Sequence, residues 1–192
     1  MTAARLLILV AICSALLPHA VEAAAKKPLP KSATAAPSPA TDPGPAKSLG
    51  TSGSWTAYMA QNKAGKVCYL VGQPEKTESA SMKRKTVMAT VTHRTEDQVA
   101  NVVSFDVGYP LNEDDDVTVE IGKDKFTLFA RDDSAWARTP DLDTQIVTAL
   151  TKEKQAIVKG SPKKGHGTVD IYSLAGFARA LALIDKACDV KR

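Results

Sequence analysis

The C-terminal stretch Ser173-Leu-Ala-Gly-Phe-Ala-Arg-Ala-Leu-Ala-Leu-Ile-Asp-Lys-Ala-Cys188 decides how the rest of the chain is interpreted. Charged residues such as Asp185 fall outside its apolar stripe, and Ser173 is a suitable N-cap. The pattern predicts an amphipathic helix near residues 173–188 that packs on a core and is held there by a disulfide. The stripe recurs at helical spacing and consists of Leu174, Phe177, Ala178, Leu181, Ile184 and Cys188.

Residues 1–23 have the pattern of a secretory signal peptide. A positively charged start is followed by an apolar run, Leu6–Leu17, and by small residues that favour cleavage after Ala23. Cys68 and Cys188 are the cysteines that remain, and an even pair in an exported chain predicts a disulfide because exported proteins mature in an oxidising compartment. A zinc site would require four ligands and a redox site a C-x-x-C pair, and neither pattern occurs.

The charge of the chain is concentrated in one segment. The net charge is +4, and residues 24–50, with four lysines and one aspartate, carry +3 of it. Because the remainder is nearly neutral, it lacks the basic surface that nucleic acids require, and no nucleic-acid partner is predicted. Residues 24–53 are rich in Ala, Pro, Lys and Ser, which predicts a disordered linker. The apolar run of the leader is too short for a membrane span, and none is predicted after cleavage.

Residues 54–192 are predicted to form one folded domain. Short segments of alternating polarity recur about every ten residues between turn residues, which is typical of an antiparallel β-sandwich. Residues 74–85 are a predicted loop, and the Thr139-Pro140 start predicts a short helix near 140–151. Trp55 and Trp136 are expected to anchor the core. The predicted strands cover residues 55–60, 66–72, 86–93, 101–109, 117–121, 126–128, 134–138, 155–159 and 168–172.

His93 and Arg94, at the end of a predicted strand, are the first candidate binding residues. In one interpretation they contact an anion or a protein partner. In the other they are structural, and Arg94 is neutralised by Glu96, Asp97 or Asp106. Triad chemistry needs a nucleophile beside a histidine, but the disulfide explains Cys68 and no G-x-S-x-G elbow occurs. No enzyme activity and no catalytic residue is therefore predicted.

Lys163, Lys164 and His166 form a second candidate site, a basic and glycine-rich loop tip. It is either a solvent-facing turn or a contact for an anionic polysaccharide or phosphate. The acidic run at residues 113–116 has carboxylates of the kind that bind calcium, but it lacks the spaced acids and the glycine of an EF-hand loop. A solvated acidic loop is the simpler interpretation. No metal and no cofactor is predicted.

A series of short motifs, in a fixed order and spacing, resembles the invasion-associated locus B family over about residues 54–188. The resemblance implies an exported alphaproteobacterial protein with an immunoglobulin-like β-sandwich, associated with host-cell entry. The turn at residues 163–167 is longer and more glycine-rich than the family pattern. The matching motifs are Gly65-Lys-Val-Cys-Tyr69, Gln73-Pro74, Val91-Thr-His-Arg94, Gly108-Tyr-Pro110, Ala135-Trp136, Asp170-Ile-Tyr-Ser-Leu-Ala-Gly-Phe177 and Ala187-Cys188.

The sequence thus predicts an exported, mainly β protein that is not an enzyme. Its expected partner is a protein or a cell-envelope component, in the periplasm or outside the cell. The alternative is a structural periplasmic protein with no direct host role. A family does not by itself define a site, so the location of any binding surface is a question for the structure.

Overall fold

The computed structural model describes residues 44–78 and 82–192, so the predicted signal peptide and the linker as far as residue 43 lie outside the described residues. The described part consists of antiparallel strands and two helices. This confirms the prediction of a mainly antiparallel β fold, and the immunoglobulin-like detail stays a prediction. The strands are β1 Lys47–Ser52, β2 Trp55–Gln61, β3 Lys66–Gly72, β4 Lys76–Glu78, β5 Met88–Arg94, β6 Val99–Asp106, β7 Val117–Ile121, β8 Asp124–Arg131, β9 Ser134–Trp136, β10 Gln155–Gly160 and β11 Thr168–Ser173, and the helices are α1 Pro140–Lys152 and α2 Phe177–Ala187.

The eleven described strands pair in the order β1-β2-β3-β5-β6-β9-β8-β7-β10-β11-β4. The register places buried residues opposite each other, as in the row Leu70, Val91 and Val103 on β3, β5 and β6. Val119 and Val158 form a similar buried pair between β7 and β10. Residues that are opposite each other point to the same face of a sheet. One face of the sheet is therefore apolar and forms the core.

The sheet folds back so that distant strands meet across this core. Phe105 on β6 and Tyr172 on β11 have ring centroids 5.9 Å apart, although four strands separate them in the sheet order. Trp55 is 1% exposed and packs edge-on against Phe177 of α2, with ring centroids 4.9 Å apart. Trp55 is thus a core anchor as predicted, whereas Trp136 is only half-buried.

Helix α1 begins where the sequence predicts it. The Thr139 hydroxyl accepts a hydrogen bond from the backbone N–H of Leu142 at 3.2 Å, and Pro140 occupies the first turn. Both features favour a helix start, because the first turn has N–H groups without partners inside the helix. The apolar face of α1 is buried, and it includes Ile146, Val147 and Leu150.

Helix α2 begins at Phe177 and not near residue 173. Its N-cap is Gly176, with φ of 90°, and the Ser173 hydroxyl instead accepts a hydrogen bond from the Ala175 N–H at 3.4 Å. The predicted cap is therefore wrong. The buried face also differs from the predicted stripe, since Ala180 is buried and Ala178 is exposed.

Two edge strands lie where the sequence predicts none. Strand β1 occupies residues 47–52, inside the predicted linker 24–53, and the folded unit includes it because it pairs with β2 and packs Leu49 on the core. Strand β4 lies inside the predicted loop 74–85 and pairs with β11. Neither has the apolar alternation of a typical strand. The hydrogen bonds to the neighbouring strand, and not the local sequence, therefore determine the extended conformation of both segments. Strands β5 and β6 also begin two residues away from their predicted starts, at Met88 and Val99.

Candidate functional site

Cys68 on β3 and Cys188 at the C-terminal end of α2 form the predicted disulfide. Their Cα atoms are 6.0 Å apart, and both residues are buried. The bond joins residues that are 120 positions apart in the chain. It therefore fixes the last helix to strand β3 of the sheet.

His93 lies opposite Cys68 in the β3–β5 register and is 1% exposed. Its Nε2 is 2.9 Å from the Oδ1 of Asp185 on α2, and its Nδ1 accepts a hydrogen bond from the Asn101 backbone N–H at 3.0 Å. Because Nδ1 is an acceptor, the ring proton lies on Nε2 and is donated to Asp185. Both nitrogens are engaged inside the protein, which favours the structural interpretation of His93, and its contact with an outside partner stays a prediction.

Asp185 is the centre of a polar cluster that sequence reasoning missed. Its carboxylate also accepts hydrogen bonds from Nε and Nη2 of Arg192, at 2.6 and 2.8 Å, and Nη2 of Arg192 reaches Oδ1 of Asn101 at 2.8 Å. Burial raises the pKa of Asp185, but the hydrogen bonds from His93 and Arg192 outweigh it and hold that pKa below its ordinary value. The cluster connects α2, β5, β6 and the C-terminus, and it acts beside the disulfide as a second attachment of the helix.

Arg94 points away from this cluster and pairs with Asp97. Its Nη2 donates to Oδ2 of Asp97 at 2.6 Å, and its Nε to the same oxygen at 3.1 Å. The hydrogen bond from Arg94 lowers the pKa of Asp97 despite some burial. The structural interpretation of Arg94, with Asp97 among its named partners, is the one that the structure supports.

The basic tip, defined as Lys163, Lys164 and His166, lies in the loop between β10 and β11, and all three residues are exposed. In the described part of the chain, none of the three side chains has a hydrogen bond or an ion pair. The base of the loop is fixed, because the hydroxyls of Tyr109 and Thr168 are hydrogen-bonded at 2.7 Å. The tip is thus an accessible cationic surface on a rigid hairpin.

The acidic loop at residues 112–116 lies next to the loop that carries the basic tip, since the Asn112 N–H donates to the Ser161 carbonyl at 3.0 Å. Two of its carboxylates have clear partners within the chain: Arg138 donates to Asp116 at 2.8 Å, and the Asn112 side chain donates to Asp115 at 3.0 Å. No group of three or more His, Cys, Asp or Glu residues in the described ranges has the arrangement of a metal site. The calcium interpretation gains no support.

A buried ion pair between Arg84 and Asp170 is a second polar feature that sequence reasoning missed. The two side chains are 7% and 1% exposed, and Nη1 and Nη2 of Arg84 lie 2.7 and 2.5 Å from the two Asp170 oxygens. Arg84 also donates from Nε to the Val107 carbonyl at 2.8 Å. The pair attaches the segment before β5 to β11, so its role is structural.

These features define the class of protein: an antiparallel β protein with a disulfide that holds its last helix and an exposed basic hairpin tip. No helix in the described residues is long and apolar enough to cross a membrane. The family model for the Invasion associated locus B (IalB) protein matches residues 55–185, which is most of the chain. The chain therefore belongs to the invasion associated locus B family.

Among solved structures, the chain is similar to the crystal structure of invasion associated protein b from Bartonella henselae. The TM-score is 0.52 and the sequence identity is 18%, over 73% of this chain and 97% of that chain. At this identity the likeness is one of fold. None of the curated proteins matches the chain.

Proposed function

We propose that this chain is an exported, non-enzymatic module that binds a protein or a cell-envelope component, with the host-cell association that the family name expresses. The observation that carries the export is the buried Cys68–Cys188 disulfide, a bond that persists in oxidising compartments and is rare in the cytosol. Membership of the family supports the same compartment. The predicted signal peptide, residues 1–23, is part of this proposal.

A binding role, and not a catalytic one, agrees with the fact that the reactive side chains of the interior are bonded to one another. The two cysteines are bonded to each other, His93 is held by Asp185 and Asn101, and the Arg84 ion pair is internal. Catalysis by general acid or base requires a group that reaches a substrate. These groups reach one another, and their arrangement favours a scaffold.

The basic tip is the proposed contact for an anionic partner. Lys163, Lys164 and His166 are exposed on a hairpin whose base is fixed by the Tyr109–Thr168 hydrogen bond. Clustered lysines attract anionic surfaces over about 8–10 Å at physiological salt, and binding of this kind weakens as salt rises. A phosphate-bearing or carboxylate-bearing envelope polymer, or an acidic protein surface, has the matching chemistry.

The test is capture of partners by the mature protein from bacterial envelope fractions and from host-cell membranes. The triple variant Lys163→Ala, Lys164→Ala, His166→Ala is expected to weaken capture about tenfold or more, because it removes the exposed positive charge of the tip. The control is the double variant Lys123→Ala, Lys125→Ala, which removes two exposed lysines, one in the turn between β7 and β8 and one at the start of β8. Equal capture by both variants and the wild type would count against the tip.

Cell fractionation separates this proposal from the structural alternative. Mature protein at the cell surface or in the medium agrees with a binding role towards the host. Strict retention in the periplasm, with no partner captured from host membranes, would favour a structural envelope protein. Recovery of the full-length chain in the cytoplasm, with its leader uncleaved, would contradict export itself.

A further inference from the structure

The outer face of the sheet carries a groove where β2 begins and β3 ends. Its volume is about 610 Å³, which lies within the range of about 300–1,000 Å³ found for small-molecule sites. Thr56 and Val71 are opposite each other in its floor, on the face that points away from the buried Ala57 and Leu70. The main lining residues are Ser54, Thr56, Tyr58, Val71, Gln73 and Ser173.

Three separate parts of the chain build this groove, and internal bonds hold them together. The Trp55 indole N–H donates to the Ser173 carbonyl at 2.8 Å, which fixes the end of β11 beside the start of β2. The Glu75 N–H donates to the Ile171 carbonyl at 2.8 Å and fixes the segment after β3 to the same strand. The groove is therefore formed before any ligand arrives, which lowers the entropy lost on binding.

Tyr58 supplies an aromatic surface with a fixed orientation. It lies directly opposite Tyr69 across β2 and β3, and the two rings stack with centroids 5.3 Å apart and planes inclined by 21°. Both side chains are half-buried, so the stack is accessible from the solvent side. Stacking on Tyr69 restrains the Tyr58 ring, and the π face of a ring is where the C–H groups of a ligand make favourable contacts.

The polar groups around this ring are almost all uncharged. They are the hydroxyls of Ser54, Thr56 and Ser173 and the amide of Gln73, and Glu75 is the one charged side chain in the lining. Within residues 44–78 and 82–192, the side chains of Ser54, Tyr58 and Gln73 make no hydrogen bond to other protein groups. Their donors and acceptors are available to a ligand. The lining has no cation to attract an anion, and a ligand without charge fits it best.

We propose that this groove binds an uncharged oligosaccharide, with one sugar ring stacked on Tyr58 and its hydroxyls hydrogen-bonded to Ser54, Gln73 and Ser173. A sugar ring has an apolar C–H face and a rim of hydroxyl groups, and the groove has the complement of both. The inference goes beyond the proposed function and does not depend on the basic tip. The tip is at the Thr168 end of β11 and the groove at the Ser173 end, about 17 Å apart along the strand.

The experiment is titration of the mature protein with maltohexaose, cellohexaose and hexa-N-acetylchitohexaose, followed by calorimetry and by chemical-shift changes. We expect at least one of the three to bind with a Kd below about 1 mM. Tyr58→Ala is expected to weaken that binding about tenfold, because it removes the stacking surface. Gln73 lies outside the strands and is exposed, so Gln73→Ala tests the groove without disturbing the sheet. This variant is expected to weaken sugar binding about threefold, because it removes one hydrogen-bonding group.

The double variant Lys163→Ala, Lys164→Ala is the control and is expected to bind the sugar like the wild type. This control also separates the two proposals. A variant of the groove is expected to lose sugar binding and to keep capture by the basic tip, and a variant of the tip is expected to lose capture and to keep sugar binding. Absence of binding by all three sugars at about 5 mM would overturn the proposal. It would also be overturned if a peptide of residues 26–45 bound to the groove and no sugar did, because the ligand would then be the proline-rich segment of the chain itself.

Discussion

Asp143 combines burial with a single strong hydrogen bond. Its side chain lies in the first turn of α1, is 7% exposed, and accepts a hydrogen bond from the Val103 N–H of β6 at 2.8 Å. Burial raises the pKa of Asp143 to about 6, although the bond from Val103 acts in the opposite direction. The carboxylate is thus easier to protonate in the folded protein than in the unfolded chain, where its pKa is ordinary.

This difference makes the stability contributed by Asp143 depend on pH. Because the folded state holds the proton more tightly, stability gained at pH 4 is lost as the pH rises through about 6. Asp143→Asn keeps an oxygen for Val103 and removes the buried charge. We expect it to increase the free energy of unfolding at pH 7.5 by about 1–3 kcal/mol and to flatten its pH profile between about pH 4 and 7. Urea unfolding at several pH values measures both effects.

Asp141→Asn is the matched control, since Asp141 lies in the same first turn but is exposed. Asp141 has the same favourable position near the helix N-terminus but is not buried. Removal of its charge is therefore expected to lower the free energy of unfolding by less than about 1 kcal/mol and not to raise it. A less stable Asp143→Asn protein at pH 7.5, or a pH profile parallel to that of the wild type, would refute the assignment.

At the residue scale, His93 shows which features of a site can be predicted from the sequence. Ala89, Val91 and His93 alternate along β5, and the alternation alone places His93 on the buried face. The prediction of His93 as a candidate binding residue did not use this signal. Its partner Asp185 is 92 residues away, and no local pattern connects the two. Local periodicity therefore predicts burial, but not the hydrogen-bond partner.

At the element scale, the joint between β1 and α2 depends on Gly176. This residue has φ of 90°, and a Cβ placed on it would lie 2.3 Å from the carbonyl oxygen of Ser52 at the end of β1. The backbone of the turn before α2 and the backbone of β1 are thus in direct contact. A side chain at this position is incompatible with both the backbone conformation and the packing.

Gly176→Ala is therefore expected to destabilise the protein by about 3 kcal/mol or more, because the added methyl group must displace β1 or the helix start. Gly165→Ala is the control: Gly165 also has a positive φ, of 102°, but a Cβ there has no neighbour within 4 Å. It carries only the conformational penalty of about 1 kcal/mol. Similar losses for the two variants in chemical unfolding would show that the contact with β1 is unimportant.

Elements with local signals were predictable, and elements that depend on tertiary pairing were not. The hairpin β7–β8 follows from alternation on both sides of the turn at residues 122–123, and α1 from its Thr139-Pro140 start. Strand β1 is recognisable only by its pairing with β2, and β4 only by its pairing with β11. The groove on the outer face was missed for the same reason, because its residues come from three elements. The basic tip was found, because its charge lies in one short loop.

At the scale of the whole molecule, the Cys68–Cys188 bond and the His93–Asp185–Arg192 cluster attach α2 to the sheet in adjacent places. The bond alone closes a loop of 120 positions. In the chain-entropy account, a loop of this length stabilises the folded state by about 5 kcal/mol, and measured values are about 2–5 kcal/mol. The double attachment explains how a short terminal helix holds the first strands of the domain, β1, β2 and β3, against it.

The double variant Cys68→Ala, Cys188→Ala is therefore expected to lose about 2–5 kcal/mol of unfolding free energy while keeping its far-ultraviolet circular dichroism, because the polar cluster still positions α2. Reductant is expected to lower the stability of the wild type towards that of the variant and to leave the variant unchanged.

Thiol counting on unreduced mature protein should find no free thiol, since Cys13 belongs to the predicted leader. Two reactive thiols in protein purified from the periplasm, or equal stability with and without reductant, would contradict the disulfide. The same result would remove the observation on which export rests, so this measurement tests the architecture and the proposed compartment together.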